Sequence, residues 1–178
     1  MKVTLKDGSS RDVQAGQTVG AALSALGLRL GSDILAAKVN GHTVDLSSVL
    51  TEDAEVTPLK FDSAEGREVY RHSSTHIMAQ AVKEVFPTAQ LTIGPALEDG
   101  FSYDFAFERP FTPEDLGKIE SRAQEIVKRS LPVTRAELSK QDAVKLFQER
   151  GEAYKVELIQ GLADGQTISV YKIGRAHV

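Results

Sequence analysis

The sequence contains no cysteine among its 178 residues, which excludes disulfide bonds, zinc sites built from thiolates and a cysteine nucleophile. It also lacks any apolar run near the roughly 20 residues that a helix needs to cross a bilayer. The N-terminus, MKVTLKDGSS, lacks the apolar core of a signal peptide. These absences favour a soluble cytoplasmic protein that makes no membrane contact.

Positive charge does not predominate, because 21 lysine and arginine residues stand against 25 aspartate and glutamate residues, giving a formal net charge of -4, and no long basic run is present. A chain of this charge is not expected to bind nucleic acid by itself, so contact would need a local patch or another part of a larger protein. The hydrophobic fraction of 41% is sufficient for packed cores in one or two small domains.

Residues 1–61 have the pattern of one small unit. The stretch VTLKDG alternates apolar and polar residues and ends in an Asp-Gly turn signal, which predicts a hairpin. A helix is predicted over VGAALSALG, with Thr18 as N-cap and Gly27 in the left-handed position after the last turn. The stretches ILAAKVNG and AEVTPL predict two further strands. This order describes a small β-grasp sheet that carries one helix.

Residues 62–178 begin with a polar segment. We interpret KFDSAEGREVYR as a linker, followed by a helix from about residue 71 to residue 86 that ends before Pro87. The stretch SYDFAF alternates strictly and predicts a single strand with its aromatic residues on one side.

Two further helices carry capping signals. Thr112 and Asp115 resemble a capping box, and Ser139 and Asp142 repeat that logic for a shorter helix that ends near Gly151. The predicted apolar stripe of the first of these helices consists of Leu116, Ile119, Ala123, Ile126 and Val127. AYKVELI predicts the next strand, so this region is α+β.

Two histidines lie four residues apart in YRHSSTHIMAQAV, at the head of the first predicted helix of this region. That spacing is just over one turn, so His72 and His76 project from one face. On a helical wheel Ala81 and Val82 fall on the opposite side, so the pair is not expected in the core.

Two interpretations of this pair remain open on the residues alone. Both imidazoles are exposed surface groups, or they line a cleft where they position water and transfer a proton. A metal would need further ligands, and His42 and His177 are the only other imidazoles in the sequence. We therefore predict no metal site.

The longer context is more specific than the spacing. HSSTHIMAQAVKEVFP, IGPALEDGFSYDF and ERGEAYKVELI, separated and in this order, closely resemble the second N-terminal domain of bacterial threonyl-tRNA synthetases. Residues 1–61 resemble the TGS domain that precedes it, and the likeness extends to about Lys172. The resemblance implies a ubiquitin-like β-grasp TGS domain over 1–61 and an α+β editing domain over 62–178.

In that family the second domain hydrolyses serine wrongly attached to threonine tRNA. Serine is threonine without one methyl group, and a pocket for threonine gains only about 1–3 kcal/mol from that methyl, so a second cavity is needed. The resemblance implies that His72 and His76 position the water and the terminal ribose of the tRNA. It also implies that Lys155 holds the ester carbonyl or a phosphate.

The resemblance also assigns substrate binding to Tyr103, which matches the tyrosine after the DGF turn, and less firmly to Asp104. From the residues alone, Tyr103 is an aromatic on a strand face and Lys155 is an exposed strand lysine. For Asp104, the alternative to substrate binding is a purely structural role.

The sequence departs from the family at its C-terminal end. The family completes the site with a D-x-C-x-G-P-H segment, which this sequence does not contain, and His177 does not match it. We therefore expect a C-terminally incomplete editing domain with weak or no deacylation activity. Residues 172–178, KIGRAHV, can be encoded by a widely used sequencing-adapter sequence, and we interpret them as wholly or partly read-through.

The resemblance implies a longer parent enzyme that attaches threonine to tRNA. The parent is expected to use ATP, magnesium and zinc outside this sequence, to bind the acceptor end of tRNA(Thr) and to form a homodimer. No cofactor is expected in this chain. The alternative function is a non-catalytic tRNA-binding or interaction module with an incomplete editing site.

Overall fold

The computed structural model describes residues 1–163 and 165–174, and the backbone of residues 176–177. The chain divides into two compact units, Met1–Arg71 and His72–Val178. Both units combine helices and strands, so the predicted α+β class is confirmed. In the part of the chain that is described, no helix has the length and apolar character needed to span a membrane.

The first unit is a five-stranded mixed sheet that carries one helix. Its elements are β1 (Lys2–Leu5), β2 (Ser10–Asp12), α1 (Val19–Ala25), β3 (Ile34–Val39), β4 (His42–Val44) and β5 (Ala54–Lys60). The strand order is β2-β1-β5-β3-β4, with β1 parallel to β5 and the other pairs antiparallel. This is the β-grasp arrangement that the sequence predicts.

Local signals explain the helix ends and turns of the first unit. The Thr18 hydroxyl accepts a hydrogen bond from the Ala21 N–H at 3.2 Å, as predicted for the N-cap of α1. Gly27 has a φ of 88°, the left-handed conformation that follows many helices. Asn40 and Gly41 both have positive φ, which suits the tight turn between β3 and β4. The core between sheet and helix includes Val3, Val19, Leu23, Ala37 and Val56.

The second unit is built mainly from helices and short strands. Helix α2 (Ala64–Val85) begins in the first unit and continues into the second. The following elements are β6 (Gln90–Leu91), β7 (Ala96–Leu97), β8 (Gly100–Phe101), β9 (Phe105–Ala106), α3 (Pro113–Lys128), β10 (Val133–Leu138), α4 (Lys140–Glu149), α5 (Ala153–Gln160), β11 (Ile168–Ile173) and β12 (Ala176–His177). Strand β11 pairs antiparallel with β10 on one side and with β12 on the other.

Apolar packing holds the second unit together in more than one place. One cluster joins Ala81 and Val82 of α2 to Ile119 and Ile126 of α3. The partly buried aromatic residues packed around it are Phe86, Phe105, Phe107 and Phe111. Another cluster joins α4, α5 and β11 through Ala143, Phe147, Ile159 and Val170.

The segment that we interpreted as a linker is helical from Ala64 onward, so the helix predicted from residue 71 begins earlier. The Ser63 hydroxyl accepts a hydrogen bond from the Gly66 N–H at 3.0 Å, which satisfies one of the free donors at this helix start. The predicted end before Pro87 is confirmed. The chain divides inside this helix, after Arg71, whereas we predicted the boundary after residue 61. The assignment of 62–178 as one domain stays a prediction.

The prediction that AYKVELI forms a strand is wrong, because this segment is helix α5. Tyr154, Val156 and Leu158 alternate with polar residues, which resembles a strand. In the structure Tyr154 and Leu158 are exposed, whereas Ile159 is buried against α4. Packing of one helix face against α4 therefore decides the conformation of this segment, and the alternation of apolar and polar residues does not.

The prediction of a single strand over SYDFAF is also wrong. Phe101 ends β8, which pairs with β7, and Phe105 begins β9, which pairs with β6. Between them, the Asp104 carbonyl accepts a hydrogen bond from the Thr92 N–H at 3.2 Å, and the Asp104 N–H donates to the Ile93 carbonyl at 2.8 Å. The chain pairs with β7 before this stretch and with β6 at its end, so no continuous strand forms over SYDFAF.

Helix α3 begins as predicted. The Thr112 hydroxyl accepts from the Asp115 N–H at 3.2 Å and the Asp115 carboxylate accepts from the Thr112 N–H at 2.9 Å, forming a capping box. Arg109 binds the same carboxylate at 2.5 and 3.2 Å. The predicted apolar stripe is narrower than expected, because Leu116 and Val127 are exposed.

The C-terminal segment is described only in part. Lys172 and Ile173 belong to β11, where they pair with Thr134 and Val133 of β10, a strand that we did not predict. The interpretation of residues 172–178 as read-through also concerns residues 175 and 178 and the side chains of residues 176 and 177, which lie outside the described part. That interpretation stays a prediction.

We predict that Asp115→Asn reduces the acid sensitivity of the fold. Hydrogen bonds from the Arg109 guanidinium and the Thr112 backbone hold the pKa of the Asp115 carboxyl far below its usual range. A lowered folded-state pKa stabilises the fold above the unfolded value of about 4, and this contribution is lost as the pH falls below it. Denaturant unfolding near pH 7 and near pH 3 should show a smaller loss of stability in the variant.

The control for this experiment is Glu114→Gln. Glu114 lies one residue before Asp115 in α3 and forms an exposed ion pair with Lys118. The control should keep the full acid-induced loss of the wild type. An equal loss in Asp115→Asn and in wild type would contradict the assignment.

Candidate functional site

Helix α2 carries a line of polar residues at four-residue intervals, on the side opposite Ala81 and Val82. The line consists of His72, His76, Gln80 and Glu84. The apolar side packs in the core as predicted, but the polar side is not simply solvated, because Gln80 is only 8% exposed and His76 is half-buried. A polar helix face that is covered by other elements is typical of a cleft.

The two predicted histidines contact each other. His76 Nε2 and His72 Nε2 are 3.0 Å apart, and their rings are nearly perpendicular with centroids 4.5 Å apart. A hydrogen bond at this distance needs a proton on one Nε2 and a lone pair on the other, so the two rings hold complementary tautomers. The ring of Tyr171 from β11 stacks on His76 with a centroid distance of 6.4 Å.

His76 is neutral at physiological pH. Burial, the neighbouring His72 and the charge of Lys155 together lower the pKa of His76 from 6.5 to about 4. Its Nδ1 is buried and has no hydrogen-bond partner among the described residues. A buried neutral imidazole is suited to accept a proton rather than to carry a permanent charge.

Lys155 is near enough to His76 for its charge to act on the ring. It is a half-buried helix residue of α5 rather than the exposed strand residue of the alternative interpretation. Its Nζ lies 5.0 Å from the centroid of the Phe147 ring, a cation–π arrangement. Burial lowers the pKa of Lys155, Glu152 opposes this effect, and Arg150 and Lys83 add to it.

Glu152 is a charged residue of this site to which we assigned no role from the sequence. It is only 6% exposed, and its Oε1 lies 3.2 Å from the ammonium of Lys83. Its Oε2 is buried without a hydrogen-bond partner in the described part of the chain. The only sequence signal was its place beside Lys155 in the GEAYK stretch. Sequence alone does not show that this glutamate is buried.

Tyr103 is also near Glu152. Burial and the charge of Glu152 raise the pKa of Tyr103 to about 12, so its hydroxyl stays protonated and can donate a hydrogen bond. The ring lies so close to Gly94 that a Cβ at that position would stand 2.2 Å from it. Gly94 therefore makes room for the tyrosine.

Asp104 differs from the other predicted site residues. It is exposed, and within the described residues its carboxylate makes no hydrogen bond or ion pair. Its backbone carbonyl binds the Thr92 hydroxyl at 2.6 Å, which anchors the loop. A substrate-binding role for Asp104 stays a prediction.

The structure therefore places His72 against His76, with Lys155 near enough to His76, and Glu152 near enough to Tyr103, for their charges to act. Within the described residues, no group of three histidine, aspartate or glutamate side chains has the geometry to hold a metal ion. The arrangement combines a neutral proton acceptor, a cation and a phenol donor. Such groups can position water and stabilise negative charge on a carbonyl oxygen.

We predict that His76 remains neutral in the folded protein until the pH falls to about 4. Because the folded-state pKa is lower than the unfolded one, the unfolded chain binds the proton first, and stability is lost as the pH falls from about 6.5 to about 4. An NMR titration of the imidazole ring protons measures this directly. The signal of His76 is identified by its loss in the His76→Gln variant. The control is His42→Gln, at an exposed position, which should leave that signal in place. A midpoint near 6.5 for His76 would contradict the described burial.

Comparisons with known proteins show what the sequence is similar to. Residues 1–60 match the family model described as the TGS domain. The chain is 49% identical over 172 residues to a threonine–tRNA ligase of Symbiobacterium thermophilum, covering 97% of this chain and 26% of that protein. The threonine–tRNA ligase of Hahella chejuensis is likewise 49% identical over 172 residues, covering 97% and 27%. That of Desulforamulus reducens is 47% identical over 174 residues, covering 98% and 27%.

The chain thus spans about a quarter of the length of the curated relatives that it matches. The match covers both compact units. Residues 1–60 are therefore a TGS domain, and the chain belongs by sequence with the N-terminal region of the threonine–tRNA ligases.

Proposed function

We propose that this chain carries the proofreading site of a threonine–tRNA ligase, which hydrolyses the ester of serine attached wrongly to tRNA(Thr). The observation that carries the proposal is the hydrogen bond between the exposed His72 and the half-buried His76, on whose ring the charge of Lys155 acts. The relatives are named as threonine–tRNA ligases, for which serine is a competing substrate that differs by one methyl group.

The hydrolysis needs a placed water and a group that accepts its proton. The ring of His76 is neutral near pH 7 and offers a lone pair, either to the water or to the Nε2–H of His72. The exposed ring of His72 is placed to contact the water and the terminal ribose. The water oxygen attacks the ester carbonyl carbon, and the ribose oxygen leaves with a proton.

Lys155 and Tyr103 supply positive charge and a hydrogen-bond donor. The ammonium of Lys155 stabilises the negative charge that develops on the carbonyl oxygen. The phenol of Tyr103, which stays protonated, donates to the substrate. A cavity shaped for serine excludes the extra methyl of threonine, so the site rejects correctly charged tRNA by steric conflict.

We propose that threonine activation and its transfer to tRNA take place elsewhere in the longer parent protein. There, ATP and magnesium would support threonine activation, and zinc would serve the aminoacylation site. No cofactor is proposed for the present chain, whose proposed ligand is the acceptor end of tRNA(Thr). We also propose that the parent is a homodimer.

We predict that this chain binds a mimic of its substrate through the histidine pair. The probe is the terminal adenosine of tRNA with serine attached through a non-hydrolysable amide. It should shift the NMR signals of His72 and His76, and the matching threonine compound should bind at least about tenfold more weakly. Equal affinity for both compounds, or shifts confined to the first unit, would refute the proposal.

The double variant His72→Ala/His76→Ala separates proofreading from the alternative docking function. A docking module would keep its affinity for tRNA(Thr) in this variant and would show no preference for serine. The proofreading site would lose both the preference and any hydrolysis. His42→Ala, in the first unit, is the control that should change neither.

We expect seryl-tRNA(Thr) hydrolysis by this chain to be slow or absent. The sequence lacks the D-x-C-x-G-P-H segment that the family uses to complete the site, and groups that act as a unit fail together. Incubation with seryl-tRNA(Thr), measured against spontaneous hydrolysis, is the test. Efficient turnover that is lost in His72→Ala would contradict this expectation.

A further inference from the structure

The ammonium of Lys83 connects the end of α2 to the start of α5. It donates hydrogen bonds to the carbonyls of Pro87 and Ala89 at 3.2 and 3.0 Å, and it pairs with Glu152 at 3.2 Å. A lysine ammonium has three donors, so each of them has an acceptor. This contact fixes the first turn of α5 against α2.

Glu152 occupies the N-cap position of α5, but its side chain makes no capping hydrogen bond. The carboxylate is directed to Lys83 instead, with its second oxygen buried and without a partner among the described residues. Burial of a charged group with an unused acceptor is costly unless another interaction compensates it. Helix capping therefore does not explain this glutamate.

Lys155 follows Glu152 by three residues, which places both side chains on the same face of α5, one turn apart. The charged groups that act on Lys155 are Glu152, Arg150 and Lys83. Of these three, Glu152 alone is negative. Lys155 is also close enough to His76 to influence its titration. The carboxylate is thus the counter-charge for the one cation that we assign to the site.

We propose that Glu152 is the positioning residue of this site: held by Lys83 at the first turn of α5, its carboxylate is the counter-charge of the Lys155 ammonium, one turn further along the same face of the helix. The role of Lys155 in this inference rests on the proposed proofreading function. The link between Glu152 and Lys155 does not.

Two variants separate the charge of Glu152 from its role as an anchor. Glu152→Gln keeps the size of the side chain and an oxygen acceptor for Lys83, but it removes the negative charge. Lys83→Met breaks the anchor, keeps the carboxylate and removes a cation. The matched control is Glu114→Gln, which breaks an exposed ion pair on α3.

The readout is the pKa of Lys155, measured by NMR from the chemical shift of its side-chain nitrogen. The pKa should fall in Glu152→Gln and rise in Lys83→Met, because the first variant removes a favourable charge and the second an unfavourable one. A purely structural role would move the pKa in the same direction in both variants. Shifts in the same direction, or no shift in Glu152→Gln, would overturn the inference.

Binding of the serine-amide adenosine probe extends the test to the substrate. Glu152→Gln should weaken the probe about tenfold, with hydrogen exchange of α5 unchanged. Unchanged probe affinity in Glu152→Gln would overturn the positioning role. If Glu152→Gln fails to fold, Glu152→Asp replaces it in the test. The aspartate keeps the negative charge, so the pKa of Lys155 should stay close to that of the wild type. A Lys155 pKa that falls in Glu152→Asp would also count against the inference.

The two proposals fail in distinguishable ways. Opposite shifts of the Lys155 pKa in a protein that does not bind the probe would refute the proofreading function and leave the electrostatic link intact. Probe binding without those shifts would refute the role of Glu152 and leave the proofreading function intact.

Discussion

The ion pair between Lys83 and Glu152 is the contact on which the candidate site depends. Lys83 also holds the two carbonyls that follow α2, so a single ammonium fixes the end of one helix and the start of another. Glu152 is almost fully buried, and removing one partner of a buried pair leaves an uncompensated charge. With α5 held in this way, Lys155 is kept on the side of α2 that carries His72 and His76.

Burial of the polar side of α2 gives the site its electrostatic character. Away from bulk water, charges act more strongly on each other, and the neutral form of an imidazole is favoured. The buried polar atoms without partners in the described part of this unit include His76 Nδ1, Gln80 Oε1 and Glu152 Oε2. Such atoms are uncommon in a folded core, and they lie on or beside the side of α2 that bears the histidines. The arrangement is explained better by binding and catalysis than by stability.

Local chemistry made much of the fold predictable from the sequence. The caps at Thr18 and Thr112 and the left-handed Gly27 are decided by neighbouring residues, and these predictions are confirmed. The strand predicted for AYKVELI is wrong because packing against α4 decides its conformation, which alternation within the segment does not report. The histidine spacing correctly predicted that the two rings share a face. The burial of Glu152 depends on Lys83, which is distant in sequence, so no local pattern indicated it.

The account stands on the proximity of Lys155 to the histidine pair, and the pKa of His76 in the Lys155→Met variant tests this most directly. Burial and His72 are the larger causes of the low His76 pKa, so removing the ammonium should raise the pKa above about 4 but leave it below 6.5, because a positive charge close to the ring disfavours protonation. Lys145→Met, which changes an exposed lysine of α4, should leave it unchanged. An unchanged His76 pKa in Lys155→Met would mean that the lysine and the histidines do not share a site, and the account would be contradicted.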